Sequence, residues 1–242
     1  MIDKLSKLSS LLKMSDINNT VFNTNLPILL QVLDKTKAGY LLRLGDRVID
    51  AKSSENLIIG SKYWGILNEN NDGLLISHLI KQPRILDEIY KSPIVLDIDR
   101  LELLINNESK DLTQINNDKL RDILTHTLER INSRDEFILL SNILFGLKYG
   151  VVTFIIKDRE KRFLTQIRKI HGKIEFCAAF NNLGFIYGEL YNNDLILRVQ
   201  FELTKKILLK HANEIPFNII DIVLDNSIKL FFDMDNILDL EV

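Results

Sequence analysis

The stretch Gly39-Tyr-Leu-Leu-Arg-Leu44-Gly45-Asp46-Arg47-Val-Ile-Asp-Ala51 reads as a β-hairpin. Glycine stands first in a two-residue connection, where the backbone must turn through positive φ, so Tyr40 to Leu44 and Arg47 to Ala51 pair antiparallel. Alternation then puts Leu42 and Leu44 on one face, and Val48 and Asp50 on one face. Outward from this hairpin the same texture repeats. Strands are predicted at Ile28 to Leu33, Tyr63 to Leu67 and Leu74 to Ile80, with turns at Lys37-Ala38-Gly39, Gly60-Ser61 and Asn71-Asp72-Gly73. Five strands with short turns predict a small β-barrel over residues 26–82. Closure would remove the edges that a segment such as Ile28-Leu29-Leu30 otherwise exposes.

On the amino-terminal side, Ile2, Leu5, Leu8, Leu11 and Leu12 stand at helical spacing, followed by a polar run from Asn18 to Asn25. Residues 1–25 are therefore read as a short amphipathic helix and a linker. On the other side, residues 83–132 read as a helical connector: Ile85, Leu86 and Ile89, then Leu96 to Ile105, then a clearer helix from Asp118 to Ile131. Ser133 and Glu136 form a capping-box pattern that opens a further helix, running to Lys148 and stopping at Gly150. Beyond it, strands are predicted at Val151 to Lys157, Phe163 to Ile170, Lys173 to Phe180, Phe185 to Tyr191, Leu195 to Phe201 and Ile219 to Leu224. A helix over Leu203 to Asn213 interrupts them, and a further short strand is read at Lys229 to Phe232. Residues 133–242 thus make an α+β domain of hairpins and flanking helices, and the whole chain is read as α+β.

Composition narrows the function classes. The 242 residues are 46% hydrophobic and 26% charged, which excludes disordered and collagen-like chains. With 31 Lys and Arg against 33 Asp and Glu the formal charge is −2, so no global field draws the chain to nucleic acid or to an anionic membrane. The single cysteine, Cys177, has no partner for an internal disulfide, and no apolar run reaches the roughly 18–20 residues that span a bilayer. A cytoplasmic protein is expected.

Catalytic and cofactor signatures are sparse. His78, His126, His171 and His211 lie far apart, with no zinc-ligand spacing to each other or to Cys177. Cys177 sits in Phe176-Cys-Ala-Ala-Phe180, an apolar strand context that hides a thiol and raises its pKa. Gly146, Gly150, Gly184 and Gly188 are isolated, without the Gly-Lys-Ser/Thr of a phosphate loop. Asp97-Ile-Asp99 and Asp233-Met-Asp235 lack the further ligands and the glycine of a calcium loop. Lys157-Asp-Arg-Glu-Lys-Arg162 reads as a solvated hairpin tip of mixed sign. No metal, no cofactor and no catalytic residues are expected. An alternative is an OB-like barrel binding single-stranded nucleic acid, with Tyr40, Tyr63 and Trp64 as stacking residues. Against it, Arg43, Arg47, Lys52 and Lys62 are interleaved with Asp46, Asp50, Glu55, Glu69 and Asp72 and form no basic stripe.

The cadence of Leu26 to Leu79, with Gly39-Tyr-Leu-Leu-Arg-Leu44, Val48-Ile-Asp-Ala-Lys-Ser53 and Leu57-Ile-Ile-Gly60, resembles the small β-module of some flagellar hook-length control proteins of the FliK family. Phe176-Cys-Ala-Ala-Phe-Asn-Asn-Leu-Gly-Phe-Ile-Tyr-Gly-Glu-Leu190, followed by Leu195-Ile-Leu-Arg-Val199 and a helix, resembles that family's carboxy-terminal substrate-specificity-switch domain. Leu183-Gly184 matches the family's Leu-Gly pair, while Asn181-Asn182 replaces the proline many members carry before it. The resemblance implies a nonenzymatic protein of the flagellar type III export system. It would bind the export-switch protein FlhB, or another export or hook component, at the export apparatus or after passing through it. Phe180, Leu183 and Gly184 would be the partner-binding residues. Residues 83–133 are too few for an extensible ruler, so a regulatory role in switching is the expectation.

Overall fold

The structure is a computed structural model and describes residues 5–8, 27–37, 39–53, 55–70, 73–97 and 117–233. The chain divides into two compact units. The first comprises Met1–Pro83 with Asn181–Gly184 and Phe201–Ile207, and the second comprises Arg84–Phe180, Phe185–Gln200 and Leu208–Val242.

The first unit is built on β1 (Leu5–Leu8), β2 (Ile28–Lys35), β3 (Tyr40–Leu44), β4 (Arg47–Ser53), β5 (Lys62–Asn70) and β6 (Gly73–Lys81), in the order β1-β4-β3-β2-β5-β6. The hairpin that anchors the reading is present. Gly45 has φ +57°, Leu44 faces Arg47 across the turn and Tyr40 faces Ala51 at the far end. Period-two alternation turns Leu30, Val32, Leu42 and Leu44 inward, where they pack with Tyr40, Ala51, Leu57, Tyr63 and Ile76.

Two expectations are corrected here. The sheet is not a closed barrel: β1 and β6 are its two edges, and no hydrogen-bonded ladder joins them among the described residues. Nor do the described residues form an α+β chain with a barrel and a helical connector; they are largely β, 46% strand and 24% helix, in two large sheets. The missed strand is β1. Leu5 and Leu8 fit a helical spacing, yet they lie opposite Ser53 and Ala51 with a register shift between them, so a tertiary partner overrides a local pattern. The remainder of the expected amino-terminal helix and linker lies outside the described residues.

The second unit is built on α1 (Ile85–Glu88), β7 (Leu96–Asp97), α2 (Asn117–Leu128), α3 (Arg134–Lys148), β8 (Val151–Asp158), β9 (Lys161–Ile170), β10 (Lys173–Phe180), β11 (Gly184–Tyr191) from Phe185 onward, β12 (Asp194–Val199) and β13 (Asn218–Leu224), while α4 (Glu202–Lys210) belongs to the first unit up to Ile207 and to the second from Leu208. Its seven strands run β13-β12-β11-β10-β9-β8-β7. Strands β8 to β12 form a meander, to which β7 adds parallel to β8 and β13 parallel to β12. A parallel partner needs a crossover, and helices fill both crossovers: α2 and α3 before β8, α4 before β13. The predicted helix from Leu96 to Ile105 is corrected at its start, where Leu96–Asp97 form β7; residues 98–105 lie outside the described ones.

Across β8, β9 and β10 the registered residues change character row by row. Ile155, Leu164 and Ala179 form an apolar row. Next come Thr153, Gln166 and Cys177, buried and polar, and then Val151, Arg168 and Glu175, where the row becomes charged. The chain after β13 crosses this sheet as a strap in which Ile228, Leu230 and Phe232 are buried; Lys229–Phe232, read as a strand, is not one. Two more features follow from side-chain chemistry. Ser133 caps α3, its hydroxyl accepting from the Glu136 amide at 3.5 Å. Arg162, read as part of a solvated tip, donates through Nη1 to the carbonyls of Ile89, Tyr90 and Ser92 at 3.0, 2.9 and 3.3 Å.

Candidate functional site

The three residues singled out by resemblance each have a place in the packing or the backbone of the fold. Phe180 ends β10 half-buried, its ring stacked on Phe163 of β9 at 4.7 Å between centroids and 26° between planes. Gly184 is buried at φ +73°, a conformation that an L side chain resists. Leu183 is half-buried, and its carbonyl accepts from the hydroxyl of fully buried Thr204 at 2.8 Å. Leu183 and Gly184 belong to the first unit and Phe180 to the second.

The aromatic residues proposed for base stacking are also core residues. Trp64 is fully buried and donates through Nε1 to the Asn181 carbonyl at 3.0 Å. Tyr40 and Tyr63 are buried, and their hydroxyls accept from the amides of Leu57 and Ile58 at 3.2 and 3.1 Å. Stacking on a base needs an open ring face. None of these three rings offers one.

Titratable groups are accounted for by local structure. The Cys177 thiol is fully buried, lies 3.6 Å from the Lys229 carbonyl and has its pKa pushed up to about 12 by burial. His126 and His211 are exposed beside Glu129 and Glu214 of their own segments. His171 occupies a turn at φ +50°, and the His78 ring meets Phe201 edge-on at 5.2 Å. Among the described residues no three His, Cys, Asp or Glu side chains gather as metal ligands would. Asp97 and Asp233 are described, but Asp99 and Asp235, their expected partners in carboxylate pairs, lie outside the described residues.

One polar cluster does cross the second sheet. Arg168 places Nε and Nη2 at 2.6 Å from the same oxygen of Glu175. Arg198 Nη2 donates to Glu189 Oε1 at 2.9 Å, and the Tyr187 hydroxyl donates to that oxygen at 3.2 Å. Phe231 from the strap lies against the Arg168 guanidinium, 4.1 Å from its ring centroid. Burial first, then the carboxylates of Glu175 and Glu189, hold the Tyr187 phenol far above its ordinary pKa. Each acid here is matched by a cation, and the phenol keeps its proton at neutral pH. The cluster fastens strands and strap together.

One surface that the fold does not explain is the outer face of α3. Leu139, Leu140, Ile143 and Leu147 are buried on the inner face, which packs toward β8 and α2. Yet Phe137, Ile138 and Phe145 are 53%, 40% and 46% exposed, and Tyr149, just past the helix, is 63% exposed. With 100° per residue these four fall within one arc of about 120°. In the sequence, α3 reads only as a helix opening a domain. The signal was there: Phe137 to Leu147 is apolar on both sides, and a helix has one inner face to bury.

No protein-family description, no curated protein and no solved structure matches this chain. No helix among the described residues is long and apolar enough to cross a membrane.

Proposed function

We propose that the protein acts by noncovalent binding of a protein partner through the outer face of α3. The observation that carries this reading is the exposure of Phe137, Ile138, Phe145 and Tyr149 along one helix face. Clustered large apolar side chains left in water on an ordered helix are the usual mark of an interaction surface. Binding energy at such surfaces concentrates in aromatic anchors, and three of these four residues are aromatic.

A more specific version keeps the type III export reading, with the cytoplasmic domain of FlhB as partner and a change in accepted export substrates as the consequence. Its support is the sequence resemblance over Phe176 to Leu190 and Leu195 to Val199. Phe180, Leu183 and Gly184 then shape the domain, and α3 makes the contact. The test is titration of the purified chain into the purified FlhB cytoplasmic domain, beside a Phe145→Glu variant whose circular dichroism matches the parent. Micromolar binding by the parent, lost in the variant, supports both parts. Absence of binding at about 100 μM, an affinity near 5.5 kcal/mol, rejects FlhB as partner. Binding that Phe145→Glu leaves unchanged rejects α3 as the contact.

A further inference from the structure

The charges around the α3 stripe specify what covers it. Stepping 100° per residue, Arg134 and Lys148 fall inside the apolar arc, one at each end of the helix, whereas Glu136 falls on the opposite side. Asp135 lies at the flank and is already engaged, its Oδ2 2.6 Å from Lys91 Nζ. The stripe therefore reads as apolar, with Ser141 at its centre, and basic at both ends. The two cations are 14 positions apart, about 21 Å along the helix axis.

A second copy of this chain does not suit that pattern. Two α3 helices packed antiparallel set Arg134 against Lys148 of the other copy, and packed parallel they set each cation against itself. Like charges brought together at helix contacts oppose association. An amphipathic helix whose apolar stripe is bracketed by acidic residues about four turns apart suits it in either direction. We propose that the occupant of the α3 face is such a helix, presented by a partner protein. The apolar residues supply the affinity, and the end charges supply the selection. This inference rests on the protein-binding reading and adds to it the chemistry of the partner.

The experiment uses the full chain and two designed 18-residue helical peptides that share one apolar stripe. One carries glutamate and the other lysine at the two stripe-end positions, 14 apart. Binding is followed by fluorescence anisotropy. The glutamate peptide is expected to bind about tenfold more tightly than the lysine peptide, the scale of two exposed ion pairs gained against two repulsions. An Arg134→Glu, Lys148→Glu double variant is expected to invert that preference, and Phe145→Glu to abolish binding of both. All three positions are exposed, so the fold is retained, and circular dichroism checks it.

Binding that depends on Phe145 but ignores peptide charge overturns the acidic partner while leaving the protein-binding reading intact. Binding of neither peptide at about 100 μM overturns the acidic helical partner, and the FlhB titration then decides the protein-binding reading separately. A dimeric mass in solution that Phe145→Glu reduces to a monomer names a second copy and overturns the proposal. So does a tenfold gain in peptide affinity on removal of residues 234–242, which would make that acidic segment, with Asp235, Asp239 and Glu241, the occupant.

Discussion

The side-chain amide of Gln166 meets both backbone polar groups of Phe232: Nε2 donates to the carbonyl at 2.7 Å, and Oε1 accepts from the amide N–H at 3.1 Å. Gln166 is fully buried in the second sheet, and Phe232 lies in the strap that crosses it. The glutamine stands in for a neighbouring strand. It satisfies a buried peptide that no ladder reaches, while Phe232 itself packs on Gly146 and stacks on Tyr149 at 5.4 Å. Gln200 acts in the same way on a second stretch, accepting from the Phe185 amide at 3.2 Å and donating to the Ile228 carbonyl at 3.3 Å.

Replacing Gln166 by leucine keeps much of its volume and removes both hydrogen bonds, leaving an N–H and a carbonyl buried without partners. Each such group costs about 1–3 kcal/mol. Gln166→Leu is expected to lower the unfolding free energy by about 2–5 kcal/mol in urea titration. A loss below about 0.5 kcal/mol would mean that the strap detaches without cost and is not part of the folded core.

Gly184 separates a structural role from a partner-binding one. Its φ of +73° costs a non-glycine residue about 1–2 kcal/mol. Gly184→Ala is expected to lower stability by that amount and to leave partner affinity unchanged at temperatures where the variant is folded. An affinity loss of tenfold or more in a fully folded variant would return this glycine to the interface.

Gly188 is a matter of space. A Cβ there would run into Cζ of the Phe176 ring, which covers the glycine from the neighbouring strand. Gly188→Ala must push the ring aside, an overpacking cost of about 1–3 kcal/mol. In a Phe176→Leu background the same substitution is expected to cost at least about 1 kcal/mol less. A double-mutant cycle in thermal or urea unfolding measures this coupling, and additive effects would show that the ring moves away freely.

The hairpin at Gly45-Asp46, the helix capped by Ser133 and the strands from Val151 to Tyr191 are legible in sequence because each is set by local chemistry: a turn glycine, a capping hydroxyl, an alternation of period two. What local sequence does not reveal depends on distant partners. Leu5–Leu8 holds too few residues to separate helical from strand spacing, and its pairing with β4 decides the matter. β7 and β13 join their sheet by parallel pairing across long crossovers, which no local signal announces. The Leu183-Gly184 pair stands out as a motif, and in the structure the positive φ of Gly184 and the bond from Thr204 to the Leu183 carbonyl also give it work inside the fold. The exposed face of α3 was visible as an excess of apolar residues. Only the packed structure shows which of them the core leaves out.

Cys177 ties stability to pH. Its thiol pKa is about 12 in the folded protein against an ordinary 9.0, because burial disfavours the thiolate. Below pH 9 both folded and unfolded chains hold this proton, and the group's contribution to stability is fully present. Between pH 9 and about 12 the unfolded chain releases the proton while the folded chain keeps it, so the unfolded state gains and stability falls by about 1.4 kcal/mol per pH unit from this group. The Tyr187 phenol, also raised, adds a loss of the same sign where unfolded tyrosine ionises. Cys177→Ala removes the first contribution and keeps the second. Urea midpoints measured from about pH 8 to about pH 11 should therefore decline less steeply in the variant, by close to one proton per molecule. Thiol labelling of the parent at about pH 8 should proceed only at the rate of opening. Equal slopes in parent and variant, or immediate labelling, would place the thiol in contact with water.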